Sequence, residues 1–259
     1  MNLFKGRLLE LKYKRNLLNK VIVRIDFVNK ISSLTNQLSK NVIKEAMENN
    51  FPIIEPGESI LYDIQIKASD DKQRQETRKI SDWNFYGKNR EKQLHINWEN
   101  MFILFNKYNS FDELKNNFIN IAKKLFENYS SELQVRRLGL RYINNLEIPA
   151  KNLFSWELYL NKNLLSIFKI AEEKKQITRA FHNLEINYGD FLLRIQYGMN
   201  NPDYPAPIRR KLFILDFDAY SQKVFDLKGI EDSLPIYHKK IEEYFEKLIT
   251  EKIRKKLNE

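Results

Sequence analysis

Two aspartates two positions apart are the best candidates for acid–base or metal chemistry in this sequence. Asp216 and Asp218 lie in the run 211–220, which is predicted to be a strand, so both carboxylates point to one face. Paired carboxylates can hold Mg²⁺ or transfer protons. Asp26 would be a third acid only if its strand lay beside theirs. Two like charges this close repel unless a cation is near, and we expect Arg or Lys in that role, with no bound metal.

The other residue types that often carry catalysis are scattered or absent. His95, His182 and His238 fall on different predicted elements without ligand spacing, so structural or surface roles are expected. The sequence has no glycine-rich phosphate loop, no nucleophile elbow and no zinc-protease helix motif. It also has no cysteine, which excludes disulfides, zinc–thiolate sites and a cysteine nucleophile. We therefore predict no catalytic residue and no cofactor, and the balance favours a protein that is not an enzyme.

A strand in the middle of the chain, 136–148, holds the arginines best placed to bind a ligand. Arg137 and Arg141 share a face with Gly139, and a glycine inside a strand marks a bulge or a close approach by another element. We expect Arg141 to project beside the space that Gly139 leaves, either paired with a carboxylate or lining a groove. Strand 21–28 repeats the apolar–Arg–apolar pattern. The candidate binding residues are Arg24, Arg137, Arg141, Tyr142 and Asn144.

Periodicity and turn residues predict the elements that position these side chains. Strands are expected near 21–28, 59–67, 79–87, 92–98, 101–107, 136–148, 176–188, 191–198 and 211–220. Helices are expected near 33–49, 111–129 (with Ser110 as its N-terminal cap), 152–160 and 233–257. The polar segments 69–78 and 199–210 are predicted to be loops.

Two segments of the chain resemble each other. Residues 94–105 align without a gap on 184–195, and each pair of strands flanks a two-residue turn, Glu99-Asn100 or Gly189-Asp190. This indicates an internal duplication. The predicted fold class is α+β, with two pseudo-repeats, each an antiparallel curved sheet with helices packed on one face. The N-terminal half, 1–132, has the order β-α-β-β-β-β-α, and the C-terminal half, 133–259, has the order β-α-β-β-β-α; the two halves pack intimately, as two domains or as one.

Composition limits the classes of function. The 259 residues are 42% hydrophobic, enough to bury a substantial core. No apolar run approaches the roughly 18 residues that span a bilayer, and charged residues near Met1 argue against a signal peptide, so a cytoplasmic protein without membrane contact is expected. The formal charge is +10. That charge is consistent with nucleic-acid contact, or with the Lys- and Asn-rich composition that AT-rich coding produces.

The central strand also carries a family resemblance. The run Arg137–Asn144, R-L-G-L-R-Y-I-N, resembles the hallmark strand of a sporadically distributed, functionally uncharacterised prokaryotic family of about this length. The L-D-x-D run at Leu215–Asp218 and a C-terminal helix with His238 and Phe245 are similar too. The resemblance implies a cytoplasmic protein with no established activity and transfers no catalytic residue. A patchy distribution is typical of genes that travel with mobile elements or antiviral defence systems.

Two functions from different classes follow. The first is a non-catalytic binding or adaptor subunit of a prokaryotic multiprotein assembly, with a protein partner encoded nearby and a groove between the halves as its binding surface. The second is an RNA- or DNA-binding protein, including an RNA-processing enzyme, which the positive charge and the aromatic content favour. A steep fall of nucleic-acid affinity with salt would favour the second.

Overall fold

The computed structural model describes residues 13–35, 37–65, 74–147 and 152–259. The nine strands in these ranges are β1 (Leu18–Phe27), β2 (Ile53–Gln65), β3 (Arg74–Tyr86), β4 (Lys92–Ile96), β5 (Asn100–Phe105), β6 (Val135–Glu147), β7 (Ala180–Asn187), β8 (Leu192–Met199) and β9 (Leu212–Ser221). The four α-helices are α1 (Lys40–Glu48), α2 (Phe111–Asn128), α3 (Leu227–Leu248) and α4 (Glu251–Asn258). Short 3₁₀ helices span Ser32–Thr35, Lys162–Lys169 and Lys174–Gln176.

All nine strands form one open sheet in the order β2-β3-β4-β5-β1-β6-β9-β8-β7. Every neighbouring pair is antiparallel. The strands β1 and β6 are the first of their predicted halves, and they pair with each other at the middle of the sheet. The predicted α+β class with an antiparallel sheet is therefore confirmed.

The sheet has two chemically different faces, because side chains alternate along each strand. In β1, Val21, Val23 and Ile25 are fully buried, while Arg24 and Asp26 at the alternate positions point to the opposite side. The buried side, here called the covered face, packs against α2 and α3. The opposite side, which carries the partly exposed side chains of Arg24 and Arg141, is called the open face. Burying one face fixes the register, since a one-residue slip would turn every side chain to the wrong side.

Two predicted helices differ from the observed ones at their starts or ends. The helix expected at 33–49 begins only at Lys40, because the Ser39 side chain accepts a hydrogen bond from Asn41 N (3.3 Å) and caps it there. The helix expected at 233–257 begins earlier, at Leu227, and breaks after Leu248. By contrast, α2 starts after its predicted cap Ser110.

The helix expected at 152–160 is absent: these residues form turns, and the next helix is the 3₁₀ turn at 162–169. The physical reason is a backbone contact with the break between α3 and α4. Asn161 N donates to Leu248 O (2.9 Å), and Thr250 N donates to Tyr159 O (3.1 Å). These hydrogen bonds between the two segments use backbone N–H and C=O groups that would otherwise bond within a helix. Neither segment therefore continues as a helix at this point.

The prediction of a loop at 69–78 is wrong for residues 74–78. Residues 74–78 belong to β3, while 69–73 lie outside the described residues. The paired strand β2 starts earlier than expected and includes Pro56-Gly57. A proline fits there because β2 is an edge strand, whose outer side needs no donor.

No helix in the described part of the chain is long and apolar enough to cross a membrane.

The two segments that suggested a duplication are both hairpins, β4–β5 and β7–β8. They occupy different places in the sheet: β5 lies directly beside the central strand β1, whereas β9 separates β8 from the central strand β6. Counted outward from the centre, β5 therefore corresponds to β9 and not to β8. The duplication remains a prediction.

The turns of these two hairpins also differ by one residue in position. In the first, Asn97 N donates to Asn100 O (3.0 Å), so the turn residues are Trp98-Glu99 and not Glu99-Asn100. In the second, the turn is Gly189-Asp190 as expected, with Gly189 at a φ of 83°. The gap-free alignment of the two segments is therefore not reproduced in the register of their turns.

Candidate functional site

Charged side chains from four neighbouring strands meet on the open face. The strands β1, β6, β9 and β8 lie side by side, and each contributes at least one arginine or carboxylate to this face. We call the set the arginine–carboxylate network. Its members are Arg24, Asp26, Arg137, Arg141, Arg194, Asp216 and Asp218, together with Glu185 of β7.

The strongest ion pair in the network joins Arg141 and Asp216. Arg141 donates from Nε to Oδ1 (2.9 Å) and from Nη2 to Oδ2 (2.6 Å). This bidentate geometry is available to arginine and not to lysine. The Asp216 side chain is only 7% exposed, against 40% for Arg141. The hydrogen bond to Asp216 raises the pKa of Arg141. The prediction that Arg141 pairs with a carboxylate is confirmed.

Asp218 is a more weakly paired carboxylate in the same row. Its Oδ2 lies 3.8 Å from Nη2 of Arg137 and 3.9 Å from Nη1 of Arg194. Burial raises the pKa of Asp218, and the neighbouring arginines oppose that shift. At least one of the two aspartates was expected to pair with a basic side chain, and this expectation is confirmed.

The space that Gly139 leaves on the open face is occupied by the guanidinium group of Arg137. A Cβ placed on Gly139 would lie 3.2 Å from Nη1 of Arg137 and 3.3 Å from its Nη2. The Arg137 guanidinium therefore lies across the glycine, where it also reaches Oδ2 of Asp26 at 3.6 Å. Arg141 was predicted to project beside this space, and the residue that occupies it, Arg137, bridges Asp26 to Asp218.

Arg24 and Asp26 sit on the neighbouring strand β1. Arg24 Nε donates to Asp26 Oδ1 at 2.6 Å, along one strand and on one face. The strand of Asp26 is not adjacent to β9, because β6 lies between them. Asp26 is thus not a third acid beside Asp216 and Asp218, since the guanidinium of Arg137 separates it from Asp218.

The part of the network nearest β7 was not predicted from the sequence. Tyr220 donates its hydroxyl to Glu185 Oε1 (2.7 Å), and Arg194 Nε donates to the same oxygen (3.0 Å). These bonds, the one from Tyr220 first, lower the pKa of Glu185. The guanidinium groups of Arg137 and Arg194 both lie about 5 Å from the Tyr220 ring (5.1 and 5.2 Å). The apolar–Arg–apolar pattern at Leu193–Ile195, shared with Arg24, was an available signal.

Two candidate binding residues lie on the wrong face to join this network. Tyr142 and Asn144 point to the covered face and are each 4% exposed. The Tyr142 hydroxyl shares hydrogen bonds with the Tyr108 hydroxyl (3.1 Å) and with Nδ1 of His238 (3.0 Å), while Asn144 donates to Leu215 O (3.2 Å). Burial raises the pKa of Tyr142. Both side chains hold the core together and are corrected from binding to structural roles.

The remaining histidines have structural neighbours. His95 lies beside Asn84 (Nδ1 to Oδ1, 2.9 Å) and stacks on Phe102, and His182 stacks on Tyr197. Among the described residues, no group of three or more His, Asp or Glu side chains could hold a metal ion. The network is therefore suited to recognition by fixed guanidinium groups, since each of its carboxylates is engaged by an arginine.

Comparison with known proteins finds no matching family model and no similar curated protein. Function is therefore inferred from the open face and from the charges that the chain places around it.

Proposed function

We propose that this protein is a non-catalytic binding or adaptor subunit whose open face holds a protein partner. The observation that carries the proposal is the layered arrangement of the network. Its aspartates lie at the sheet surface, 7–14% exposed, and its arginines lie above them, with 44% of the Arg24 and 40% of the Arg141 side chain accessible. A partner that approaches this face therefore meets arginine first.

Ion pairs hold these arginine side chains in fixed positions before a partner binds. A free arginine loses side-chain entropy when it is immobilised at an interface, at a cost of about 0.5–1.5 kcal/mol. Arg141 is already held by two hydrogen bonds from Nε and Nη2, which leaves Nη1 for a partner. Arginine is enriched in protein interfaces and among the residues that dominate their affinity. Binding through the network would therefore require little further loss of side-chain entropy.

The charge balance favours a protein over a polyanion at this surface. The network contains four arginines and four carboxylates, so its formal charge is zero. A row of phosphates would meet the carboxylates as well as the guanidinium groups, whereas a protein surface can offer both signs of charge in complementary positions. We propose that the partner belongs to a prokaryotic multiprotein assembly of the defence or mobile-element kind and is encoded near this gene, on the basis of the patchy distribution of the family that the central strand resembles.

The predicted internal duplication would also account for the extent of the open face. The halves meet where β1 pairs with β6, and the open face runs across that junction without interruption. Arg24 from the first half and Arg141 from the second lie on this shared face. A duplication that joined two sheets at their first strands would create one continuous binding surface, in place of the groove expected from the sequence.

A second candidate is nucleic-acid binding, favoured by a basic region away from the network. Ile208 N donates to Ile177 O (3.0 Å), which joins two exposed basic segments. Arg179 lies 4.4 Å from the ring of Tyr204, which is 56% exposed, an arrangement on which a base could stack. The exposed basic residues of this region are Lys174, Lys175, Arg179, Arg209 and Arg210.

The test is co-purification from the native host with paired variants. The variant Arg24→Ser with Arg141→Ser should lose a protein that the wild type retains. A matched control, Lys228→Gln with Lys239→Gln, removes the same charge from exposed positions on α3 and should retain it. Retention of the partner by the open-face variant would overturn the proposal.

The same preparations test the second candidate. Nucleic acid that binds the wild type with an affinity falling steeply between 50 and 200 mM salt, and that is lost on Arg209→Ser with Arg210→Ser, would favour the nucleic-acid function. We expect instead that purified protein carries no nucleic acid and that this variant retains the protein partner.

A further inference from the structure

The strand β7 forms one end of the sheet and leaves a free edge. Its register with β8 is continuous from Ala180 to Asn187, and in the described part of the chain no strand pairs with its outer side. Natural edge strands are usually protected by proline, lysine, a bulge or a covering element. The opposite edge strand, β2, contains Pro56-Gly57. The sequence of β7, A-F-H-N-L-E-I-N, contains neither proline nor lysine.

Large apolar side chains are exposed along this edge. Phe181 is 39% exposed, Leu184 is 49% exposed, and Tyr188, directly after the strand, is 37% exposed. Leu184 pairs with the buried Ile195 and thus belongs to the covered face, but no further strand of the described ranges shields it. The edge therefore offers both unpaired backbone groups and apolar surface.

The hydrogen-bond pattern identifies which backbone groups are free. Tyr188 N donates to Phe191 O (2.9 Å), so Tyr188 is bonded toward β8. Because bonding alternates along an antiparallel strand, the even-numbered residues of β7 also bond toward β8. The residues that direct N–H and C=O to the free edge are Phe181, Asn183, Glu185 and Asn187.

We propose that β7 pairs antiparallel with β7 of a second copy of this chain, around a twofold axis at Leu184. In this register, Phe181 lies opposite Asn187 of the second copy, and Asn183 lies opposite Glu185 of the second copy. All four free residues of each strand then find partners. The two sheets join into one continuous sheet of eighteen strands, twice the nine in one copy.

Side chains are self-complementary in this register, as a twofold interface requires. The two Leu184 side chains meet at the axis, in a pair without backbone bonds, where Cα atoms approach to about 4.5 Å and side chains contact closely. The amide of Asn183 faces the carboxylate of Glu185, a donor opposite an acceptor. Two other registers fit worse: centring on Glu185 opposes two like charges, and centring on Asn183 places Phe181 opposite Glu185.

The first test is the mass of the protein in solution. Sedimentation or light scattering should show wild type at twice the 31.2 kDa chain mass. Leu184→Lys places two ammonium groups together at the axis and should raise the dimer dissociation constant at least tenfold. Ile236→Lys is the matched control, since Ile236 is an apolar residue of similar exposure (56%) that belongs to α3 and not to β7. Unchanged circular dichroism would show that both variants fold.

The second test fixes the register by a disulfide. The chain has no cysteine, so Leu184→Cys introduces one thiol per copy. The Cα separation of about 4.5 Å lies at the lower end of the range for disulfides, and mild oxidation should link the copies covalently. Ile236→Cys should not form this link. A wild type that is monomeric at 100 µM, a dimer that survives Leu184→Lys, or equal cross-linking at positions 184 and 236 would each overturn the proposal.

Discussion

The covered and open faces of the sheet hold neighbouring side chains of the same strands by different forces. On the covered face of β9, Phe213 is fully buried against Trp156 (ring centres 5.3 Å apart) and Phe168 (6.5 Å). On the open face of β9, Asp216 is held by two hydrogen bonds from Arg141. The first arrangement uses the whole side chain for packing. The second leaves N–H groups directed to solvent, and the proposed binding function relies on these free donors.

The few charged groups of the covered face have no such surplus. Lys92 is 3% exposed, and its Nζ donates to Asn49 O (2.9 Å) and Asn117 Oδ1 (2.6 Å) and lies 3.7 Å from Glu113. Burial lowers the pKa of Lys92. Its partners satisfy the ammonium group within the core. Polar groups therefore stabilise both faces, but only on the open face can they also contact a partner.

The largest difference between the faces is expected from a pair of adjacent residues on β9. Phe213→Ala should lower the free energy of unfolding by about 3–5 kcal/mol, because it removes a buried aromatic ring and leaves a cavity. The control Ile214→Ala, half-buried on the open face, should cost about 1–2 kcal/mol. Urea unfolding measures both. Equal costs would contradict the assignment of packing to the covered face.

A smaller effect is expected from the ion pair on the open face. Arg141→Ala should cost about 1–3 kcal/mol, because it leaves the buried Asp216 carboxylate without its donor; the partial exposure of Arg141 keeps the cost below that of a fully buried pair. Lys228→Ala, which breaks an exposed pair with Asp232, should cost less than about 0.5 kcal/mol. If both variants unfold at the same urea concentration, the network has no structural role.

Asp218 should impose a pH dependence on stability. Burial raises its pKa above the ordinary value of 3.8, so its contribution is full below pH 3.8 and is lost as pH rises through the folded pKa. Asp218→Asn removes this titration. The free energy of unfolding of wild type minus that of the variant should therefore fall from pH 3.5 to pH 6.5, as measured by urea unfolding. A difference that grows over this range would mean that the arginines outweigh burial and hold the pKa below 3.8.

The smallest effect on stability is expected at Gly139. Gly139→Ala adds a Cβ 3.2–3.3 Å from the Arg137 terminal nitrogens, and a flexible guanidinium can move away. We expect a change within about 0.5 kcal/mol, together with loss of the Arg137 bridge. A double-mutant cycle between Asp26→Asn and Asp218→Asn should then show coupling in wild type and none in the alanine variant. Coupling that survives would mean that Arg137 does not link the two carboxylates.

Local patterns predicted much of the fold. Alternation identified both faces of β1 and β6, and Ser110 marked the start of α2, because such signals depend on residues close in sequence. The interruption after Leu248 was not predictable, since it depends on backbone bonds from residues 159–161, nearly 90 positions away. The apolar residues at helical spacing along 233–257, which predicted one long helix, continue into α4 with Ile253 and Leu257 and so conceal the break.

The site was predictable only where the residues of a single strand were enough to identify it. Arg137 and Arg141 stood out on β6, and the pairing of Asp216 with a basic side chain followed from charge. The identity of each partner depends on strand order: β9 lies between β6 and β8, which brings Asp218 between Arg137 and Arg194. Long-range pairing of this kind has no short sequence signal, so the bridge by Arg137 emerged only from the structure.

The most direct test of the open face as a binding surface is the affinity of the co-purified partner for three purified proteins. Titration calorimetry should show at least tenfold weaker binding to Arg24→Ser with Arg141→Ser than to wild type, because two prepared guanidinium groups are lost. The control Lys228→Gln with Lys239→Gln should bind as wild type does. Equal affinity of all three proteins, or weakening only in the control, would contradict the assignment of binding to the open face.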